Sequence, residues 1–378
     1  MVRLDELCII NMGQSPDSST YNEDGNGLPF FQGNADFGVT YPVVRMWCSE
    51  PTKRAQIDDI LISVRAPIGA LNIANCECCI GRGLAALTVN KNSCIQKYLW
   101  YALSNKVEEL NSKGTGSTFK AINKKILAET EIPLPSLDEQ RKIAAVLDKV
   151  SDLIAKRRQQ LDKLDELIKA RFVEMFYNID SNTNWPVVTM ADISTDMRTG
   201  PFGSALHHDE FVETGIFVLG IDNAVENKFS YNRMRYITEE KYEQLKRYTV
   251  RPGDIIITIM GTVGRSAVIP DNIPKAINTK HLACLTIDRS KAQPTFICSA
   301  FQMHPEIRQQ LTGQAKGAIM DGLNLTIIKK IHFKLPPIEI QDKFVEFFNI
   351  TEKTKTTISK SLEKLETLKK ALMQEYFG

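Results

Sequence analysis

The side chains that could do covalent or metal chemistry in this chain are few, and their spacing suits neither. Cys76-Glu-Cys78-Cys79 contains a CxxC step, but a structural zinc ion takes four ligands, and only Cys94 follows. The corresponding stretch of the second half, Pro274-Lys-Ala-Ile277, has no cysteine. Buried, reduced thiols in a strand are therefore expected, with no metal and no cofactor. His207, His208 and His281 also lack a ligand set. The chain carries no Asn/Asp-Pro-Pro-Tyr/Phe motif of an adenine methyltransferase, no GxxxxGK[ST] phosphate loop and no HExxH zinc helix. A non-catalytic role is expected. The chemistry that does repeat is cationic: Gly81-Arg82-Gly83-Leu84 in one half lies over Thr279-Lys280-His281-Leu282 in the other, each ahead of an apolar run. Gly114-Thr-Gly116-Ser-Thr-Phe-Lys120 is a glycine loop that could hold a phosphate through backbone amides and Lys120. Gly313-Gln-Ala-Lys316-Gly317 stands at the matching place.

The elements that must position these groups are themselves repeated. Ser136 to Phe176 reads as one long helix, and Pro337 to Phe377 is a second copy, Gln140 matching Gln341 and Phe176 matching Phe377 at a constant spacing of 201 residues. Ser136 with Glu139 forms a capping box that fixes where the first helix starts. Ile143, Leu147, Val150, Ile154, Leu161, Leu164 and Ile168 then recur at steps of four and three, a coiled-coil seam interrupted by Arg157. The second helix carries Thr351 and Lys355 in its seam, so pairing should be loosest at these polar positions. About forty residues at 1.5 Å each give a rod of about 60 Å, which needs a partner surface. The nearest such surface is the other rod.

Between the rods lie two mixed α and β blocks built on one plan. Ile57-Asp-Asp-Ile-Leu-Ile-Ser-Val-Arg-Ala-Pro-Ile-Gly69 lies under Arg251-Pro-Gly-Asp-Ile-Ile-Ile-Thr-Ile-Met-Gly-Thr-Val-Gly264, a turn entering a buried strand. The first block has Asp58 where the second has Gly253, so the two turns are expected to differ in detail. Helical spacing of Leu99, Ala102, Leu103, Val107 and Leu110 predicts a helix between Ile95 and Leu110. The chain divides into 1–135, 136–177, 178–336 and 337–378.

A chain of 378 residues has material for two or three domains. No apolar run is long enough to cross a bilayer and the N-terminal residues lack a signal-peptide layout, so a cytoplasmic protein without membrane contact is expected, its eight cysteines reduced. With a net charge of only +2, any polyanion must be held by local patches rather than by the overall field.

Two equivalent modules held apart by paired rods suit a long, two-part target such as duplex DNA, whose half-sites recur about every 34 Å on one face. In its order of block, long helix, block, long helix, the chain resembles, over its whole length, the DNA-specificity subunit of type I restriction-modification enzymes. Three motifs carry the resemblance: the turn and strand at Pro252 to Gly264, the exits Leu134-Pro135 and Leu335-Pro336-Pro337, and the Leu/Ile-x-x-Gln-x-Lys helix start. It implies an α+β protein in which two mixed α/β target recognition domains, 1–135 and 178–336, are separated by two long antiparallel helices forming a coiled coil with an internal pseudo-two-fold repeat. It further implies binding of double-stranded DNA at an asymmetric bipartite site, two docked adenine methyltransferase subunits, and restriction/translocase subunits completing the enzyme. On that reading, adding about four residues to a rod should change the spacer and leave the half-sites unaltered.

Base reading asks for Arg or Lys facing guanine and Asn or Gln facing adenine. Candidates on the loops are Gln32, Asn34, Arg65, Arg82 and Lys120 in the first block. In the second they are Asp222, Asn223, Arg265, Lys280 and Lys316, with the three histidines as polar or DNA-facing surface. The alternative from a different class is a coiled-coil scaffold that joins two protein-binding modules without DNA contact.

Overall fold

The computed structural model describes residues 1–116, 120–177, 184–202, 205–315 and 323–378, the side chains of 312–315 excepted. Lys316 lies outside the described residues. By contacts the chain forms two compact units, Met1–Gln159 with Ser359–Gly378, and Gln160–Ile358. Four helices organise them: α1 Gln96–Asn105, α2 Leu137–Phe176, α3 Pro294–Met303 and α4 Ile338–Phe377. Both divisions fall inside the long helices α2 and α4, so each unit owns the start of one and the end of the other. Among the described residues no helix is long and apolar enough to cross a membrane.

In the first unit the longer strands are β1 Cys8–Met12, β2 Leu28–Phe31, β3 Ile60–Ser63, β4 Leu71–Ile73, β5 Cys78–Ile80 and β6 Leu84–Val89. An antiparallel sheet runs β1-β6-β3-β4, and β2 pairs with β5 in parallel, Phe30 opposite Cys79. Strand β3 is buried along its whole length because it is covered on both faces. Ile60 and Ile62 pack with Tyr98 and Leu99 of α1 and with Leu147 of α2, while Leu61 packs with Phe31 and Ile80. A two-faced burial of this kind explains why the strand reads as an unbroken apolar run. The end of α4 completes this core: Phe377 is buried, its ring 5.3 Å from that of Tyr98.

The second unit repeats the plan with β7 Ser194–Thr199, β8 Ile216–Leu219, β9 Ile255–Thr258, β10 Ser266–Val268, β11 Ala276–Asn278 and β12 Leu282–Ile287. The sheet order is β7-β12-β9-β10, and β8 pairs with β11 in parallel. Here the end of α2 closes the core, Phe176 lying 4.8 Å from the Phe296 ring of α3. Within this unit Asp165 meets Lys355 and Phe172 meets Phe344, so the two helix segments run antiparallel. Lys355, expected at a loose point of the seam, instead bridges Asp165 and Glu352 at 2.5 and 2.6 Å. Thr351 is buried with its hydroxyl bonded to Phe347 O of its own helix.

The motif glutamines fasten each long helix to its block. Gln140 and Gln341 are fully buried. Gln140 Oε1 accepts from Ile95 N at 2.8 Å, and its amide donates to Ser93 O and Pro135 O. Gln341 repeats this with Gln293 N, Lys291 O and Pro336 O. The Ser136 side of the predicted capping box is present, Glu139 N donating to Ser136 Oγ at 3.3 Å, whereas the Glu139 carboxylate lies 3.7 Å from Lys142 Nζ.

The turns at Asp58 and Gly253 have one shape after all. Both residues are left-handed, φ 71° and 81°, with Asp58 N bonded to Ala74 O and Gly253 N to Ile269 O. Aspartate is among the few side chains that tolerate this region, which is how the first block keeps the turn without glycine.

Candidate nucleic-acid interface

The Arg82 turn is seated by two close backbone approaches. A Cβ on Gly13, at the end of β1, would meet Gly81 O at 2.2 Å, and one on Gly83 would meet Gln32 O at 2.4 Å. Because both positions are glycine, the turn lies against the Gln32 segment that follows β2, and Gly83 N donates to Gln32 O at 3.2 Å. Arg65 leaves β3 beside the same turn, since Val64 N donates to Gly83 O. These three segments enclose a cavity of about 490 Å3.

Four of the five residues singled out in the first block, Gln32, Asn34, Arg65 and Arg82, line this one cavity. Lys120 is exposed just beside it, its carbonyl accepting from Ala66 N. The cavity also holds Arg45, which no sequence pattern singled out. Arg45, Arg65 and Arg82 are exposed, and among the described residues none of the three is in an ion pair. The nearby carboxylate, Asp36, is committed to the Gln32 and Gly33 amides at 2.8 and 3.4 Å. Three guanidinium forks and two amides therefore converge on open space, a set that matches phosphate oxygens and base edges.

The second unit places its candidates differently. Asp222 lines a cavity of about 410 Å3 together with His208, Arg233, Arg235, Thr279 and His281. Lys280 is exposed on the turn between Thr279 and His281. Asn223 is fully buried: its Oδ1 accepts from Gly220 N at 2.8 Å and its Nδ2 donates to Ser230 O at 2.8 Å. That amide caps a turn and has nothing left to offer a ligand in this conformation. Arg265 is exposed on the turn after β9, away from the lining. Arg235 Nη2 lies 2.6 Å from Asp222 Oδ2, so the charge balance here differs from the first unit. Burial, then Lys280 and Arg235, push the His281 pKa below its usual value, which keeps the ring neutral at neutral pH.

The cysteines of the CxxC step pack in the first unit. Cys78 is pushed up to about 12 and Cys79 to about 11, chiefly by burial; these are thiols in the core of the first unit, not thiolates. Among the described residues no group of three His, Cys, Asp or Glu side chains is placed to hold a metal ion.

The model of one protein family, described as the type I restriction modification DNA specificity domain, matches residues 1–166 and 182–369. The chain belongs to this family. The two matched segments of the specificity domain correspond to the two copies of the repeat. The specificity subunit of type I restriction enzyme EcoBI from Escherichia coli is 20% identical over 410 residues, spanning 100% of this chain and 85% of that protein. A Methanocaldococcus jannaschii protein assigned as the MjaX specificity subunit is 45% identical over 160 residues. That match spans 42% of this chain and 38% of the relative, well under half of each. Among solved structures, the type I restriction-modification S subunit from M. genitalium aligns over 100% of this chain and 95% of its own, with a TM-score of 0.63 and 16% identity. At that identity the likeness is one of fold, and it extends through both specificity domains and both long helices.

Proposed function

We propose that this chain is the DNA-reading subunit of a type I restriction-modification enzyme. The target recognition domains are 1–135 and 178–336, each reading one half of an asymmetric bipartite site in double-stranded DNA. The helices 136–177 and 337–378 act as the spacer and carry two adenine methyltransferase subunits, with restriction/translocase subunits completing the enzyme. It works in the cytoplasm, where its DNA and its partners are. The observation that carries this reading is the cavity of the first unit, where Arg45, Arg65, Arg82, Gln32 and Asn34 converge and the single carboxylate of the lining, Asp36, is held by the Gln32 and Gly33 amides. Three exposed guanidinium groups around one carboxylate leave the cavity with excess positive charge, which suits an anionic, hydrogen-bonding partner. Family membership agrees.

The test is selection from random DNA by the chain assembled with its methyltransferase subunits. A consensus with two defined halves and an undefined spacer is expected. Recovery of no bipartite consensus, or charge reversal at Arg82 and Lys280 that leaves DNA affinity and its salt dependence unchanged, would return the chain to the role of a protein scaffold.

A further inference from the structure

Arg235 and Asp222 form a pair that the first unit lacks, at positions where the duplicated scaffold shows what the fold itself needs. Arg235 O accepts from Val218 N at 2.9 Å, as Met46 O accepts from Phe30 N at 2.9 Å, so Met46 is the structural counterpart of Arg235. Asp222 is the middle residue of the short helix Ile221–Asn223, as Ala35 is of Asn34–Asp36. The first unit folds with methionine and alanine at these two places. Neither charge is therefore required by the architecture.

The geometry around the pair is that of a held guanidinium. Arg235 is 22% exposed and Asp222 38%. A Cβ on Gly220 would fall 2.5 Å from Arg235 Nη1, so the absence of a side chain there is what lets the guanidinium lie along the turn. Asp222 Oδ2 grips one nitrogen, and Oδ1 has no donor among the described residues. Thr279 Oγ1, on the same cavity wall, is buried without a hydrogen-bond partner. The site thus presents a forked donor, a carboxylate acceptor beside it and an unsatisfied hydroxyl. Arg is the fork that matches guanine O6 and N7, and Asp is the acceptor that matches the cytosine amino group.

We infer that Arg235, held in place by Asp222, reads a guanine in the half-site of the second unit, and that the other oxygen of Asp222 accepts from a cytosine amino group at the same or the adjacent base pair. The inference rests on the DNA-reading function proposed above and names residues that carry it in this unit, where the Asn223 amide is committed to its own turn.

The duplicated scaffold also supplies the variant. Arg235→Met with Asp222→Ala copies the first unit and should leave the fold intact. The chain would be expressed with its methyltransferase partners, and the methylated motif read from host DNA. For the unaltered chain, one half-site is expected to hold a defined G·C pair. In the double variant the base pair or adjacent pairs read by Arg235 and Asp222 should alone become degenerate, discrimination falling on the order of 10- to 100-fold, while the other half-site is unchanged. Arg235→Lys keeps the charge but loses the fork. It should weaken the guanine preference, less than the double variant does, and it remains informative if the double variant fails to assemble. An unchanged motif in either variant overturns the inference and leaves the proposed function standing. An unaltered chain that directs no bipartite methylation overturns both.

Discussion

Arg198 Nη2 donates to Asp254 Oδ2 at 2.7 Å beneath the turn that starts β9, with Asp254 only 1% exposed. Thr286 Oγ1 and Arg251 N bond the same carboxylate. In the first unit the counterpart Asp59 accepts from Gln56 N, and Asn11 stands where Arg198 does, donating to Arg54 O as Arg198 donates to Thr249 O. Asp254→Ala leaves a largely buried guanidinium without its main partner and should cost about 3 kcal/mol. Arg198→Asn restores the pattern of the first unit and should cost less. Urea unfolding followed through Trp185, in a chain with Trp47 and Trp100 replaced by Phe, would separate the two.

Gln140→Leu removes three hydrogen bonds and strands Ile95 N at the start of α1. The expected cost is about 2 to 3 kcal/mol, together with faster exchange of the Ile95 amide. Gln341→Leu should do the same to Gln293 and the second unit. Hydrogen exchange that slowed at these amides would show that the glutamines do not clamp the helix starts.

Replacing Arg45, Arg65 or Arg82 by alanine sorts phosphate contacts from base contacts. A phosphate contact should weaken binding to all sequences and lower the salt slope by about one. A base contact should cost about 1 to 3 kcal/mol at one position of the first half-site only. Titrations at several salt concentrations, repeated with single-base variants of the selected site, distinguish the two.

Acid should weaken the second unit first. His304 is buried among Phe172, Tyr177 and Phe333, and burial holds its pKa below the usual 6.5, with Glu306 opposing weakly. His281 is shifted the same way. As pH falls through about 6.5 the unfolded chain takes up these protons before the folded one. The stability present at neutral pH is then lost toward the folded pKa. His304→Leu should flatten that slope when unfolding is followed through Trp185.

Residues 1–177 alone lack Phe377, Met373 and Leu372, which complete the first core. Phe176 fills the matching place against Phe296 in the second unit, so a second copy of the fragment can supply Phe176 to Tyr98. The expected product is a dimer that reads a palindromic site. Sedimentation should show it, and Phe176→Ala should return it to monomer.

The long helices were legible because thirty or more residues of periodic leucine and isoleucine leave no alternative, and the ends at Phe176 and Phe377 follow from the repeat. The predicted helix from Ile95 to Leu110 is two helices, Gln96–Asn105 and Val107–Ser112, because Lys106 takes φ −92°, ψ 2°. Periodicity alone does not register a single residue leaving the helical region. In the site, Gln32 and Arg82 were legible as loop residues flanking repeated strands. Asn223 was not distinguishable from a reader, because the capping duty of its amide depends on Gly220 and Ser230 folding over it. Arg45 and Arg235 went unseen for another reason: equivalent positions are 187 apart at Gly33 and Gly220 but 189 apart at Met46 and Arg235, and a rigid offset passes over them.

The packing of Phe377 against Tyr98 has a consequence in time. The first unit is synthesised first, yet its core is closed by Phe377, which is made long after Tyr98. At about 5 to 20 residues per second, the nascent chain must carry the uncovered rings of Tyr98 and Tyr101 for on the order of tens of seconds. The second unit, whose closing segment of α2 is already made, has no such wait. Its folding is the earlier event, and chaperone contact during translation should concentrate on the first-made half.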